Sequence, residues 1–408
     1  MKLRNLPSCA IRHSVGAALS GLLLATALTI LPGKASAIET AGRQAIVVDF
    51  NTGAVLFDKN ADEPMYPASM SKLMTIYLVL ERLKAGELSL DDTFLVSEKA
   101  WRKGGSKMFV EVNTRASVKD LLRGIIVQSG NDACIVIAEG LAGTEANFVE
   151  LMNEKARELG LENSHFTNAT GWPDPEHQMS ARDLAILSKH LIENFPDHYA
   201  IFSEREFTYS DITQGNRNPL LYRNIGVDGL KTGHTEISGY GLTASAERNG
   251  RRVIVVVHGL DGMQSRADES ARLVEWAFRE FDNYTLVKAG EPIAEAPVWL
   301  GEGATVPFVV NTDLVATLPR HDHDDIQVVA RFDGPIPAPI EPGQEIGTLV
   351  ISAPGLEPVE TPVFAGAAVD RLGPVGRIAA AVKYLLLPGD GSDDVAADAT
   401  SESASATN

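Results

Sequence analysis

The chain runs to 408 residues, 44% hydrophobic and 22% charged, with 54 acidic against 36 basic side chains and a formal net charge of −18. That length accommodates two domains and a large buried core, so disorder throughout is excluded. The acidic balance argues against a phosphate-backbone partner, and no nucleic acid is expected.

The first 37 residues read as a secretory signal. Lys2, Arg4 and Arg12 form a basic start, Val15 to Leu31 is mostly apolar, and Ala35-Ser36-Ala37 offers a small-residue cleavage site. Its removal takes four cations and no anions, leaving a formal net charge of −22. Export to the periplasm or cell envelope is the expectation. No later stretch reaches the ~20 apolar residues of a membrane-crossing helix. Cys9 leaves with the signal, so Cys134 has no internal disulfide partner. In the apolar run Ala133 to Ala138 it reads as a buried structural thiol.

Residues 38–286 alternate strand and helix signals. Two apolar runs between Ile46 and Phe57 flank Asn51-Thr52-Gly53 and predict a β-hairpin. Helical spacing follows in Met70 to Leu83 and in Val118 to Ala142, the latter interrupted at Gln128 to Asn131. A further helix, Glu145 to Leu159, stops at Gly160, a residue suited to a C-cap. Tyr240 to Ala246 and Arg252 to His258 read as strands joined at Asn249-Gly250, with Ser270 to Phe281 as a helix packing on them. Strands at both ends with helices between predict an α+β domain, an antiparallel sheet flanked by helices. From 287 to 372 short β-type runs punctuated by Pro335, Pro337, Pro339 and Pro342 predict a small all-β domain. Residues 373–388 form a short amphipathic segment with Ile378, Val382 and Leu385 on one face. Its stretch 375–387 is suited to lie on a membrane or to pack on a neighbouring domain. Residues 389–408 are polar and acidic, a disordered tail.

Ser69-Met70-Ser71-Lys72 opens the first helical run just after Pro67, and a three-residue separation puts Ser69 and Lys72 on one face. A serine hydroxyl needs a base to become a nucleophile, and a lysine serves when burial and nearby cations lower its pKa. The helix N-terminus favours an oxyanion beside Ser69. Such a pattern alone occurs by chance in a chain this long. Its company is Ser129-Gly130-Asn131 at the helix interruption and Lys231-Thr232-Gly233 just before the strand pattern near Tyr240. Ser129 is suited to relay a proton between Lys72 and a leaving amine, and the Asn131 amide to pair with a substrate peptide group. Lys231 would attract a substrate carboxylate and depress the Lys72 pKa, while Gly233 would let a peptide add to the strand edge.

These three motifs, in Pro67 to Thr75, Gln128 to Ala133 and Val227 to Thr235 with His234 directly after the third, resemble the penicillin-interacting serine acyltransferases. Within them the chain is most similar to the low-molecular-mass D-alanyl-D-alanine carboxypeptidases. The resemblance implies a serine β-lactamase/transpeptidase-like domain followed by a β-rich domain. It also implies an activity: removal of the terminal D-alanine from peptidoglycan stem pentapeptides through an acyl-enzyme on Ser69, inhibited covalently by β-lactam antibiotics. Ser69, Lys72 and Ser129 would be catalytic. Asn131, Lys231, Thr232, Gly233 and His234 would bind substrate, with the oxyanion between the N–H groups of Ser69 and His234, and Arg217 and Arg266 would support the carboxylate subsite.

Three alternatives stay open. A serine β-lactamase shares the motifs, with Glu176 as a conceivable deacylating base; a D,D-endopeptidase is a closer relative; and a catalytically idle cell-wall binding protein would keep the fold for morphology. The run His321-Asp322-His323-Asp324-Asp325 reads as a solvated acidic loop, so no metal site is expected. The chain contains no nucleotide or phosphate-loop fingerprint, and no cofactor is implied.

Overall fold

A computed structural model describes residues 38–320, 327–352 and 359–379. The signal, the acidic loop at 321–325, most of the amphipathic segment and the tail lie outside the described residues. The first domain opens with the expected hairpin, β1 Gln44–Asp49 and β2 Val55–Lys59, and a 3₁₀ turn, Ala68–Ser71, leads into α1 Lys72–Lys84. Then come β3 Thr93–Leu95, α2 Glu98–Arg102, β4 Arg115–Ser117, α3 Val118–Gln128, α4 Asn131–Ala142 and α5 Glu145–Glu158. They are followed by α6 Ala181–Asn194, α7 Pro196–Tyr199, β5 Glu206–Tyr209, β6 Ile212–Gly215, β7 Val227–Thr235, β8 Gly239–Arg248, β9 Arg251–Leu260 and α8 Met263–Glu280.

The five-stranded antiparallel sheet has the order β2-β1-β9-β8-β7, so the N-terminal hairpin joins the three late strands and both ends of the domain build one layer. Every residue of β9 from Arg251 to His258 is buried, with α8 packed on β8 and β9 and α6 on β9 and β1. Burial on both faces explains the unbroken run Val253 to Val257 in place of an alternating pattern. The hairpin turn works as read: Asn249 and Gly250 have φ of 53° and 79°, the two left-handed residues of the tight turn that matches strand twist.

Helix α1 is buried on all sides from Lys72 to Leu80, a core helix and no surface amphipath. The long helical zone is two helices, broken where Ser129 takes φ 62° and caps α3. Glu145–Glu158 ends as expected, with Gly160 at φ 71°. The last helix starts at Met263, seven residues ahead of the Ser270 read from the sequence, and the sequence reading did not resolve α6, β5 or β6. Ser180 caps α6 by accepting from the Asp183 N–H, an N-cap signal the sequence does contain.

The second domain holds β10 Phe281–Val287, β11 Glu295–Trp299, β12 Thr305–Val309, β13 Leu314–Pro319, β14 Gln327–Arg331, β15 Ile336–Pro337, β16 Glu345–Ser352 and β17 Val359–Ala365. Its six-stranded sheet runs β14-β16-β17-β12-β11-β15, with β10 and β13 paired separately, around a core that includes Ala296, Val306, Phe308, Leu349 and Val363. The strand β10 begins at Phe281, ahead of the junction read at residue 287. Among the described residues no helix is long and apolar enough to cross a membrane.

Candidate active site

The first and third motifs meet at the edge strand β7. A Cβ built on Gly233 would lie 2.7 Å from the Pro67 carbonyl oxygen and 3.0 Å from Met70 Cγ, so only glycine lets the strand lie against the turn carrying Ser69. Lys231-Thr232-Gly233 therefore sits inside a strand, a correction to its reading as a lead-in to one. It was disguised because β7 is buried from Gly229 to Gly233 and lacks alternation.

Lys72 is wholly buried; its Nζ donates to Ser69 Oγ at 2.7 Å and to the Thr170 carbonyl at 2.5 Å. Ser71 and Thr75 anchor the turn and helix by donating to the carbonyls of Ala68 and Ala169. Burial brings the Lys72 pKa down to about 8, and Arg217 and Lys103 push the same way while Asp132 opposes. The expectation that Lys231 would be the depressing cation changes accordingly: desolvation comes first. Lys231 is also buried, its Nζ donating to the Thr232 carbonyl at 3.2 Å, and burial followed by Lys72 and Arg217 holds it well below the usual lysine range.

Ser129 is buried, and its Oγ has no hydrogen-bond partner among the described residues, so the relay from Lys72 is not closed within the protein alone. Asn131 Nδ2 donates to the Gly104 carbonyl at 2.8 Å, which commits one donor to the neighbouring loop and leaves its carbonyl oxygen free of that contact. Next to it the buried Asp132 carboxylate accepts from the N–H groups of Met108, Phe109 and Val110 and fixes that loop. Thr232 is buried, whereas His234 is exposed and stacks on Tyr240 with ring centroids 3.8 Å apart. Burial and Arg266 lower the His234 pKa.

The two arginines differ. Arg217 is solvent-accessible and its Nη1 donates to Ser106 Oγ at 2.6 Å. Arg266 is buried in the first turn of α8, 5.6 Å from the Tyr240 ring, and its Nε lacks a partner among the described residues. Glu176 is exposed, and its backbone carbonyl, not its carboxylate, meets the His165 ring. Cys134 is buried with its thiol raised to about 12 by burial, the inert state expected for it. The described residues contain no cluster of three metal-ligating side chains. Sequence reasoning missed Thr170, Asp132 and Lys103. The Thr170 carbonyl is a backbone group with no side-chain signature, Lys103 comes from a loop with no motif of its own, and Asp132 stands in the second motif stretch without a role read for it.

A hydroxyl bonded to a buried lysine of lowered pKa, beside a second buried cation on an exposed sheet edge, defines a serine acyltransferase of the penicillin-interacting class. Residues 32–262 match the sequence family described as D-alanyl-D-alanine carboxypeptidase, and residues 281–371 match the one described as penicillin-binding protein 5, C-terminal domain. The chain is 41% identical over 318 residues to the D-alanyl-D-alanine carboxypeptidase DacA of Haemophilus influenzae, covering 76% of this chain and 80% of that protein. It resembles the solved penicillin binding protein 5 from Haemophilus influenzae at 38% identity and a TM-score of 0.74, over 82% of this chain and 99% of that one. Penicillin-binding protein D2 from Listeria monocytogenes, solved in its ampicillin-bound form, is 32% identical with a TM-score of 0.55, over 59% of this chain and 98% of that one. The chain belongs to the D-alanyl-D-alanine carboxypeptidase family.

Proposed function

We propose that this chain removes the terminal D-alanine from peptidoglycan stem pentapeptides by serine acyl transfer on Ser69 and is inhibited covalently by β-lactams. The observation that carries the reading is the 2.7 Å bond between the buried Lys72 Nζ and Ser69 Oγ. With a pKa of about 8, a useful fraction of Lys72 is neutral near pH 7.5 and can take the Ser69 proton as Oγ attacks the penultimate D-alanine carbonyl. The backbone N–H groups of Ser69 and His234 stabilise the oxyanion. The carbon–nitrogen bond then breaks, the leaving amine takes a proton through Ser129, and free D-alanine departs. Water attacks the ester, its proton goes to Lys72, and Ser69 is regenerated. Lys231 and Thr232 hold the terminal carboxylate, with Arg217 and Arg266 adding positive potential around it.

An exposed Glu176 gives no support to rapid β-lactam hydrolysis, so the carboxypeptidase reading stands ahead of a β-lactamase. Mass spectrometry of the purified protein after incubation with a penicillin and, separately, a D-alanyl-D-alanine pentapeptide tests it. A stable adduct on Ser69 and one released D-alanine are expected; penicillin turnover within seconds would overturn the reading. Capping the peptide C-terminus as an amide is expected to lower kcat/KM about 100-fold, as a buried cation loses its charged partner. Equal rates would remove Lys231 from carboxylate recognition.

Export rests on the tripartite pattern of residues 1–37, and N-terminal sequencing of the mature protein tests it. Peripheral membrane contact through residues 375–387 is supported by Val375 and Ile378, which are 82% and 68% exposed on one side of a short helical stretch. Recovery of all the protein in the soluble fraction at low salt would end that part of the proposal.

A further inference from the structure

Strand β7 carries one residue more than its partner strand can match. Val227 pairs with Ala246 and Gly229 with Ser245, so Asp228 is an extra residue, a β-bulge three positions ahead of Lys231. Beyond it the pairing is regular: Leu230 opposes Ala244, Lys231 opposes Thr243 and Gly233 opposes Gly241. Residues opposite one another point to the same side of a sheet, and here the neighbours identify that side. Thr243 Oγ1 donates to Met70 Sδ at 3.5 Å, and a Cβ on Gly241 would lie 2.8 Å from Met70 Cε. Lys231 therefore points toward the turn that carries Ser69. Without the bulge every later residue of β7 would slip by one, Leu230 would oppose Thr243, and Lys231 would point to the other side of the sheet.

Side chains on that same side hold the bulge. Arg252, buried on β9, gives Nη1 to Asp228 Oδ1 and Nη2 to Oδ2, each at 2.8 Å. Such a two-pronged pair fixes direction as well as distance. The Tyr199 hydroxyl donates to Oδ1 at 2.9 Å, and the guanidinium carbon stands 5.1 Å from the centre of its ring. Burial, with the Asp228 charge beside it, keeps that hydroxyl protonated well above the usual tyrosine range. Arg252 Nη1 also donates to Ser245 Oγ at 2.5 Å, so one guanidinium grips the extra residue of β7 and the step of β8 beside it. Gly229 completes the fit: a Cβ there would lie 2.8 Å from the Tyr199 hydroxyl oxygen, while its carbonyl accepts from Asn218 Nδ2 at 2.8 Å. We propose that Asp228, Arg252 and Tyr199 are positioning residues for the reaction, holding the bulge that aims Lys231 at the substrate's terminal carboxylate. The inference rests on the carboxypeptidase reading above and on Lys231 as the carboxylate's partner.

The test compares kcat/KM for D-alanine release from a D-alanyl-D-alanine peptide with a free C-terminus and from its amide-capped form, in the full chain and its variants. The wild-type ratio is expected to be about 100. Asp228→Ala should lower the free-acid value about 30-fold and the amide value less than about threefold, because a misplaced cation costs only the substrate that uses it. The ratio then falls about tenfold. Charge alone acts the other way: removing an anion near Lys231 strengthens the positive potential and would raise the ratio. Asp228→Asn keeps the size of the side chain and an acceptor for Tyr199, so it serves where Asp228→Ala does not fold, and its ratio should fall about threefold. Glu247→Gln removes the other carboxylate on Arg252, a half-exposed one outside the bulge, and should leave the ratio within about twofold of wild type. A ratio at or above wild type in Asp228→Asn, equal losses for the two peptides, or Glu247→Gln as harmful as Asp228→Asn would reduce the network to a stabilising one and overturn the proposal. A wild-type ratio of about one would overturn it as well, since Lys231 would then have no carboxylate to meet. No D-alanine from either peptide, together with no penicillin adduct on Ser69, would instead overturn the enzymatic reading on which the proposal rests.

Discussion

Two regions of this molecule bury charge, and they do so in opposite ways. At the junction of the two domains Arg251 Nε donates to Asp49 Oδ2 at 2.8 Å and Nη1 to the carbonyls of Ala277 and Phe281, while Asp49 Oδ1 accepts from Asn51, Thr52 and Asn283. Thr317 joins the network through Asn283 and Thr52, so β1, β9, α8, β10 and β13 are tied around one ion pair whose opposite charges meet, with Arg251 Nη2 left without a partner among the described residues. In the cleft, Lys72 and Lys231 are equally buried, yet among the described residues neither ammonium meets a carboxylate within ion-pair distance. Compensated burial fixes a structure, whereas uncompensated burial stores chemical potential that substrate binding and proton transfer release. The junction should matter for stability and the cleft for rate.

Lys72→Met breaks the comparison most severely if it is wrong. Losing the base should lower kcat/KM for D-alanine release about 10³-fold, and penicillin acylation similarly. The melting temperature should hold or rise, since a buried unpaired ammonium is replaced by an apolar chain of like length. A large fall in melting temperature with acylation retained would mean that Lys72 is structural. Arg251→Met sits on the other side. It leaves the Asp49 carboxylate buried with its cation gone, and should cost about 3–5 kcal/mol in urea denaturation while the folded fraction is acylated at close to the wild-type rate. Adding Asp49→Asn to Arg251→Met should recover part of that loss, because the two sites are directly coupled.

The pH dependence sharpens the cleft's half of the contrast. Below pH 8 the neutral fraction of Lys72 falls tenfold per unit, so the acylation rate constant should rise about tenfold per unit up to about pH 8 and then level. Stability moves with the same sign for a related reason. The folded pKa lies below the unfolded value of 10.5, so between about 8 and 10.5 the unfolded chain binds more protons and Lys72 makes stability rise with pH. Lys72→Met should flatten that rise. A flat acylation profile from pH 6 to 9, read by stopped-flow quenching of a fluorescent penicillin, would show that another group takes the proton.

The contrast was unevenly legible in the sequence. Ser69 and Lys72 could be read because helical spacing is local, and Ser129 with Asn131 because a polar break in an apolar helical zone is conspicuous. The β1–β2 and β8–β9 pairs could be read from their hairpin turns, although the edge strand β7 could not: a strand buried along its centre lacks alternation. The Asp49–Arg251 pair, 202 positions apart, has no sequence signature whatever. Nor has the Thr170 carbonyl, since a backbone acceptor looks alike at every residue. Non-local pairing decides which cleft or turn a motif will face, and composition alone says nothing about it. Of the two arginines expected at the carboxylate subsite, burial singles out Arg266, and no feature of the surrounding sequence foretold the difference.

Cys134 gives the smallest effect and the finest test of what sets the Lys72 pKa. The thiol is fully buried in α4, close enough to Lys72 that a thiolate there would raise the lysine. Burial holds the thiol proton on until about pH 12, so near pH 8 the sulfur is neutral and that attraction is absent. Desolvation together with Arg217 and Lys103 is then left to govern Lys72 in the working range. Cys134→Ala should therefore cost about 1 kcal/mol of stability from the lost sulfur contacts and leave the midpoint of the acylation profile in place. A midpoint displaced by half a pH unit or more would mean that the thiol ionises with the lysine, and the cleft would then hold a compensated pair much like the one at the junction.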